Sequence, residues 1–96
     1  MITKQQRTKL RSLAQTISPT VHIGKNGLTQ EVVQSINNEL FSHELIKIKM
    51  IQFKEMKREL GEKAASLTNS DLVTVIGNIL VLYKENEDEE KRKIFF

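Results

Sequence analysis

Apolar residues along this chain recur with two periods, one of about 3.6 and one of about two, and each switch between them marks an element. Leu10, Leu13, Ala14 and Ile17 repeat at helical spacing. Ahead of them Thr3-Lys4-Gln5-Gln6 has the form of a capping box, so a helix is predicted to open there. Ser18-Pro19 closes it, because a residue before proline is pushed out of the α region. Thr20 to Ile23 is short and largely β-branched and predicts a strand. Thr29 is placed to cap a second helix carrying Val32, Val33, Ile36 and Leu40. Residues 45–51 alternate, with Ile46, Ile48 and Met50 on one face and Lys47 and Lys49 on the other, so a second strand follows.

Met56, Leu60, Ala64 and Leu67 predict a third helix over about 54–68. It has no capping side chain at its start, and Gly61 inside it costs about 1 kcal/mol relative to alanine. Asn69-Ser70-Asp71 makes a stop and turn. Leu72–Ile76 and Ile79–Tyr83 then flank Gly77-Asn78, a hairpin signal. The order is α-β-α-β-α-β-β: an α/β domain with a four-stranded mixed sheet and three helices. Right-handed crossovers are expected to set the first three strands parallel, with the last turned back antiparallel. Helical cover explains why the last two strands read as nearly continuous apolar runs. Beyond Lys84, the charge run Glu85 to Lys93 lacks periodicity and is expected to be a solvated extension, while Ile94-Phe95-Phe96 is compatible with docking or hanging free.

With 96 residues there is room for one core. Residues 1–84 form the expected domain and 85–96 a charged C-terminal extension. The absence of cysteine excludes disulfides and thiolate metal sites. The longest apolar run, Ile79–Tyr83, is far too short for a membrane span, and the N-terminus lacks the apolar stretch of a secretory signal, so a cytoplasmic protein is expected. Charge is distributed unevenly. Residues 1–84 carry 12 Lys/Arg against 7 Asp/Glu, whereas 85–96 carry 3 against 5. A basic body suits a polyanionic partner, although a lysine-rich solvated surface reads the same way.

Little in the chain suits bond-making chemistry. His22 and His43 are 21 positions apart and have no partners at metal-ligand spacing. Glu55, Glu59 and Glu62 share their helix with Lys57, Arg58 and Lys63, and helical ion pairing is expected for them rather than acid–base work. No nucleotide-loop, hydrolase or zinc-protease pattern occurs, so no enzyme, cofactor or metal is expected.

Gly24-Lys25-Asn26-Gly27 is the better candidate. Glycine lets a backbone approach a ligand closely, the loop leads into a helix N-terminus, and Lys25 adds a full charge. A steric solution for a strand-to-helix turn accounts for the same residues. G-x-x-G loops that clamp nucleotides occur in KH domains, where they join two helices. Here a strand precedes the loop, so that match is imperfect.

The stretches LRSLAQTISPTVHIGKNGLT, HELIKIKM and VIGNILVLYK, in this order and spacing, resemble the CRM domain (chloroplast RNA splicing and ribosome maturation) in its stand-alone bacterial YhbY-type form. The resemblance covers the chain to about Lys84 and implies a fold similar to the C-terminal domain of translation initiation factor three. It implies RNA binding, with bacterial members associating with precursors of the large ribosomal subunit. The family's loop falls on Gly24, Lys25, Asn26 and Gly27. Its basic first-helix positions fall on Lys4, Arg7, Lys9 and Arg11, and its second-strand positions on Lys47 and Lys49. Where the family has an arginine after Leu-Tyr, this chain has Lys84, which keeps the charge and loses the bidentate fork.

Four Phe, one Tyr and no Trp leave few rings for base stacking, which favours backbone and shape readout. The alternative is a protein-interaction adaptor using Ile94-Phe95-Phe96 and the exposed face of the hairpin. A monomer is the expected state.

Overall fold

Thr3 opens the first helix through the expected reciprocal pair: its Oγ1 accepts the Gln6 N–H at 3.1 Å, and Gln6 Oε1 accepts the Thr3 N–H at 2.9 Å. The computed structural model describes residues 1–96. Its elements are α1 (Lys4–Ala14), β1 (Val21–Ile23), α2 (Gln30–His43), β2 (Leu45–Met50), α3 (Lys57–Thr68), β3 (Asp71–Ile76) and β4 (Ile79–Tyr83). Single 3₁₀ turns occupy Lys54–Met56 and Glu89–Lys91. Thus α1 ends ahead of Ser18-Pro19, and the third predicted helix starts with a 3₁₀ turn before it becomes α-helical. Neither Phe53 nor Met56 offers a capping side chain there.

The sheet order is β1-β2-β4-β3. β1 runs parallel to β2, pairing Val21 with Ile48 and Ile23 with Met50. β4 is antiparallel to both β2 and β3, so β1, β2 and β3 point one way, as expected. What differs is adjacency, because β4 fills the place between β2 and β3. As a central strand β4 is buried from Leu80 to Tyr83. β3 is left at the edge with only Val73 buried, so helical cover explains the apolar run of one strand and not of the other.

α2 and α3 cover one face through Ile36, Leu40, Ala64 and Ala65, packed on Ile23, Ile46, Ile48, Met50, Leu80 and Leu82. Gly61 allows the close approach of α3: a Cβ there would meet both Leu72 methyls at 3.1 Å and Leu80 Cδ2 at 3.2 Å. Packing outweighs helix propensity at this position. On the other face α1 sets Leu10 and Ala14 on Leu45, Val73, Val81 and Tyr83. That helix spans only half of its face. His22 and Lys49 on the remainder are exposed and Lys47 is half-buried.

The segment after Lys84 keeps nearly all its charged side chains in solvent, as its composition suggests, but its backbone is tied to the domain. Buried Glu44, at the end of α2, holds it by three backbone N–H groups: Asn86 at 2.6 Å, Lys93 at 2.7 Å and Ile94 at 3.1 Å. Arg92 Nε donates to the Asn86 carbonyl at 2.8 Å and pairs with Glu85 at 3.3 Å. Phe96 meets Tyr83 edge to face at 5.9 Å, and Ile94 packs at the margin of the α1 core. A buried carboxylate satisfied by three donors is enough to order a segment with no apolar period of its own.

Candidate nucleic-acid interface

Gly24–Gly27 is a tight turn at the carboxyl end of β1, closed by the Gly27 N–H on the Gly24 carbonyl at 3.0 Å. Gly27 adopts a φ of 70°, which glycine accepts and other residues resist. Gly24 does not occupy that region, and a Cβ built on it meets nothing within 4 Å. The fold therefore requires glycine at position 27 and not at position 24. Thr29 caps α2 as expected, with Oγ1 accepting the Val32 N–H at 3.2 Å. The N–H groups of Lys25, Asn26 and Leu28 take no partner within the protein. With the amino end of α2 they form a run of free donors, the arrangement that favours an anion. Exposed Glu31 in the first turn of α2 answers part of the helix dipole.

The same end of the sheet gathers segments distant in sequence. The Ile51 N–H donates to the Ile23 carbonyl at 2.9 Å, and the Met50 N–H to the Asn78 carbonyl in the hairpin at 2.8 Å. Lys49 lies opposite His22 in the ladder, and Lys47 is two residues back on the same face. Lys4 and Arg11 are exposed on α1. None of Lys4, Arg11, Lys25, Lys47 or Lys49 forms an ion pair. The three pairs present involve His43 with Glu39, and Arg92 with Glu85 and Glu89. The ion pairing expected along α3 among Glu55, Lys57, Arg58, Glu59, Glu62 and Lys63 is also absent, and these side chains are solvated singly.

Three basic positions named by the resemblance have partners inside the fold. β3 carries a bulge between Leu72 and Thr74, and Arg7 Nη1 donates to the Leu72 carbonyl at 2.8 Å and to the Val73 carbonyl. An edge strand interrupted by a bulge leaves carbonyls unpaired, and a guanidinium laid along it satisfies two. Lys84 Nζ donates to the Thr68 carbonyl at 3.1 Å, at the carboxyl end of α3 and the opposite end of the sheet from the loop. Lys9 Nζ donates to the Phe95 carbonyl and stands 5.7 Å from the Phe96 ring centroid. The structure thus brings Lys25, Asn26, Gly24 and Gly27 together with Lys49, while Arg7, Lys9 and Lys84 are engaged elsewhere.

Two structural residues escape sequence reasoning, one beside the turn and one at the far end of the sheet. Phe53, with a φ of 61°, lies against the loop, its Cε2 3.8 Å from the place of a Cβ on Gly27. Glu44, which organises the C-terminal segment, is likewise silent in the sequence, since its partners lie 42 to 50 positions away. For Phe53 the one available signal is a large apolar residue between two polar ones where no periodicity requires it.

A mixed sheet with helices on both faces, part of one face left open at His22 and Lys49, and a glycine turn at its carboxyl end define a small α/β domain. The chain belongs to the CRS1/YhbY (CRM) domain family, whose model matches residues 2–84. It is 35% identical over 92 residues to the "Probable RNA-binding protein YqeI" of Bacillus subtilis, covering 95% of this chain and 96% of that one. With an RNA-binding protein of Haemophilus influenzae it shares 38% identity over 88 residues, 91% of this chain and 89% of the other. Its fold superposes on the solution structure of the protein SAV1595 from Staphylococcus aureus with a TM-score of 0.82. The two are 36% identical, over 98% of this chain and 99% of that one.

Proposed function

We propose that this protein binds RNA, and that its target is ribosomal RNA in precursors of the large ribosomal subunit during assembly. One observation carries the RNA reading: the Gly24–Gly27 turn offers free N–H donors beside Lys25, at the end of the sheet where Lys49 also lies, and neither lysine has a carboxylate partner. An extended polyanion matches both. The names of the relatives support RNA as that polyanion, and the large-subunit target follows from what the CRM resemblance implies. In this reading Gly24 leaves room for a phosphate, Lys25 and the loop N–H groups meet it, Lys49 and Lys47 extend the positive charge along β2, and Arg11 and Lys4 add exposed charge on α1. The protein acts as a cytoplasmic monomer that binds and does not catalyse. The adaptor alternative keeps Phe95 and Phe96, 66% and 52% exposed, but Ile94 packs at the margin of the α1 core and Phe96 stacks edge to face on Tyr83.

Titration of structured ribosomal RNA across a salt series tests this. Lys25→Ala weakens binding and reduces the log–log salt slope by about 0.7 to 0.9 per lost phosphate contact. A folded Lys25→Glu variant that binds like the parent sinks the loop assignment. In-cell crosslinking that finds this protein off large-subunit precursors sinks the ribosomal one.

A further inference from the structure

Next to the glycine turn, the chain reverses at Phe53, a bulky residue in the left-handed region that such side chains rarely enter. Three backbone bonds hold it there. The Ile51 and Gln52 N–H groups share the Ile23 carbonyl at 2.9 and 3.4 Å, and the Met56 N–H donates to the Phe53 carbonyl at 2.9 Å. One edge of the ring faces Gly27, 3.8 Å from where a Cβ would stand, and Phe53 remains 38% exposed. Ile51 and Met56 beside it in sequence are also exposed. Lys54 follows directly, and Lys25 lies two residues before Gly27. A partly open ring is thereby held in an unfavourable backbone conformation, next to free amide donors and among cations without counter-charges.

We propose that Phe53 is a stacking platform for one unpaired RNA base, whose neighbouring phosphate lies on the Gly24–Gly27 turn. The occupant follows from the surroundings. An apolar protein segment would leave Lys25, Lys49 and Lys54 uncompensated, whereas a nucleotide supplies an aromatic face and an anion together. The base must be unpaired, because in an A-form duplex its faces are covered by its neighbours. Backbone and shape readout along Lys47, Lys49 and Arg11 is thus joined to a single-strand subsite at the loop. This site choice rests on the RNA-binding reading above and adds to it a preference for a flipped or looped nucleotide.

The test uses the full chain with two probes, a short single-stranded RNA and the blunt duplex it forms with its complement. Phe53→Leu keeps an apolar contact to Gly27 and removes the π-face. Its affinity for the single strand falls about tenfold or more, while duplex affinity and the salt slope stay as in the parent. Phe53→Trp retains single-strand affinity, and its indole, the only one in the chain, is quenched as that RNA binds. Lys25→Ala weakens both probes and flattens the salt slope. If Lys25→Ala is weakened while Phe53→Leu binds the single strand like the parent, the platform is refuted and the phosphate cradle stands. If Phe53→Leu weakens both probes equally, or the indole emission is unmoved by bound RNA, the ring supports the loop and does not stack. If neither RNA binds the parent, or Lys25→Ala changes nothing, the reading beneath has failed instead.

Discussion

Glu44 Oε1 accepts the backbone N–H of Lys93 at 2.7 Å, joining residues 49 positions apart through a carboxylate with no exposed surface. The same side chain takes the Asn86 and Ile94 N–H groups. Removing it strands three donors and leaves the C-terminal segment without its anchor. Glu44→Ala is expected to cost about 3 kcal/mol, the range for breaking a buried charged hydrogen-bond set. Urea denaturation measures the loss. Amide exchange at Asn86, Lys93 and Ile94 should rise well above its rise elsewhere. Uniform protection across the chain in the variant would contradict the anchoring role.

The two loop glycines should separate stability from binding. Gly27→Ala places a side chain at a φ of 70° and is expected to cost about 1 to 2 kcal/mol. Gly24→Ala meets no atom of the protein and no positive φ, so its stability stays within about 1 kcal/mol of the parent, on the favourable side. If a phosphate closes on this turn, the Gly24 variant nevertheless loses RNA affinity. Thermal melts beside RNA titrations decide it, and a Gly24→Ala protein with full affinity would argue against close backbone approach.

Arg7 and Arg11 are four positions apart and should behave differently. Arg7→Ala leaves the Leu72 and Val73 carbonyls at the bulge without their donor and should cost about 1.5 to 3 kcal/mol of stability. Arg11→Ala, at an exposed position without an ion pair, should change stability by less than about 0.5 kcal/mol. Its effect is expected in RNA affinity and in a shallower salt slope. Denaturation midpoints and salt-series binding on both variants measure the contrast.

Tyr83, the only tyrosine, is buried with a hydroxyl that finds no partner. Burial first, and then the negative charges of Glu44 and Glu85, push its phenol up to about 12, with Arg92 opposing and Asp71 adding least. The folded value lies above the unfolded one of about 10, so folding favours the neutral phenol. That stabilisation is complete below about pH 10 and is lost as pH rises through about 12, amounting to about 2 to 3 kcal/mol. Lysines titrate in the same window, so the measurement is the difference in denaturation between the parent and Tyr83→Phe across it. The phenolate absorbance of the folded protein should titrate well above that of the unfolded chain. Coincident curves would show that the phenol gains nothing from its site.

Within the candidate interface, the glycine turn, Lys25 and the alternating Lys47 and Lys49 are legible because each follows from a few neighbouring residues. Gly-x-x-Gly before a capping threonine announces a strand-to-helix turn, and strand alternation alone sets the two lysines on one face. Phe53 is not legible, since its closeness to Gly27 arises where β1 and β2 end side by side. Arg7 shows the converse. Helical spacing groups it with Lys4 and Arg11, but the edge strand 65 positions downstream claims its guanidinium.

By itself the amino-acid sequence determined the number, order and kind of the elements, the capping box at Thr3, the Gly77-Asn78 hairpin and the parallel sense of β1 and β2. These depend on backbone preferences and side-chain periods that act over a turn or two of chain. Only the tertiary structure decided that β4 lies between β2 and β3, that Gly61 makes room for Leu72, and that Glu44 draws in the last residues. It also decided which cations stay free. A local pattern says which face of an element is apolar or charged. What that face meets is settled by burial and hydrogen-bond satisfaction across the whole sheet, where one guanidinium or carboxylate goes to whichever unpaired backbone groups the packing has brought within reach.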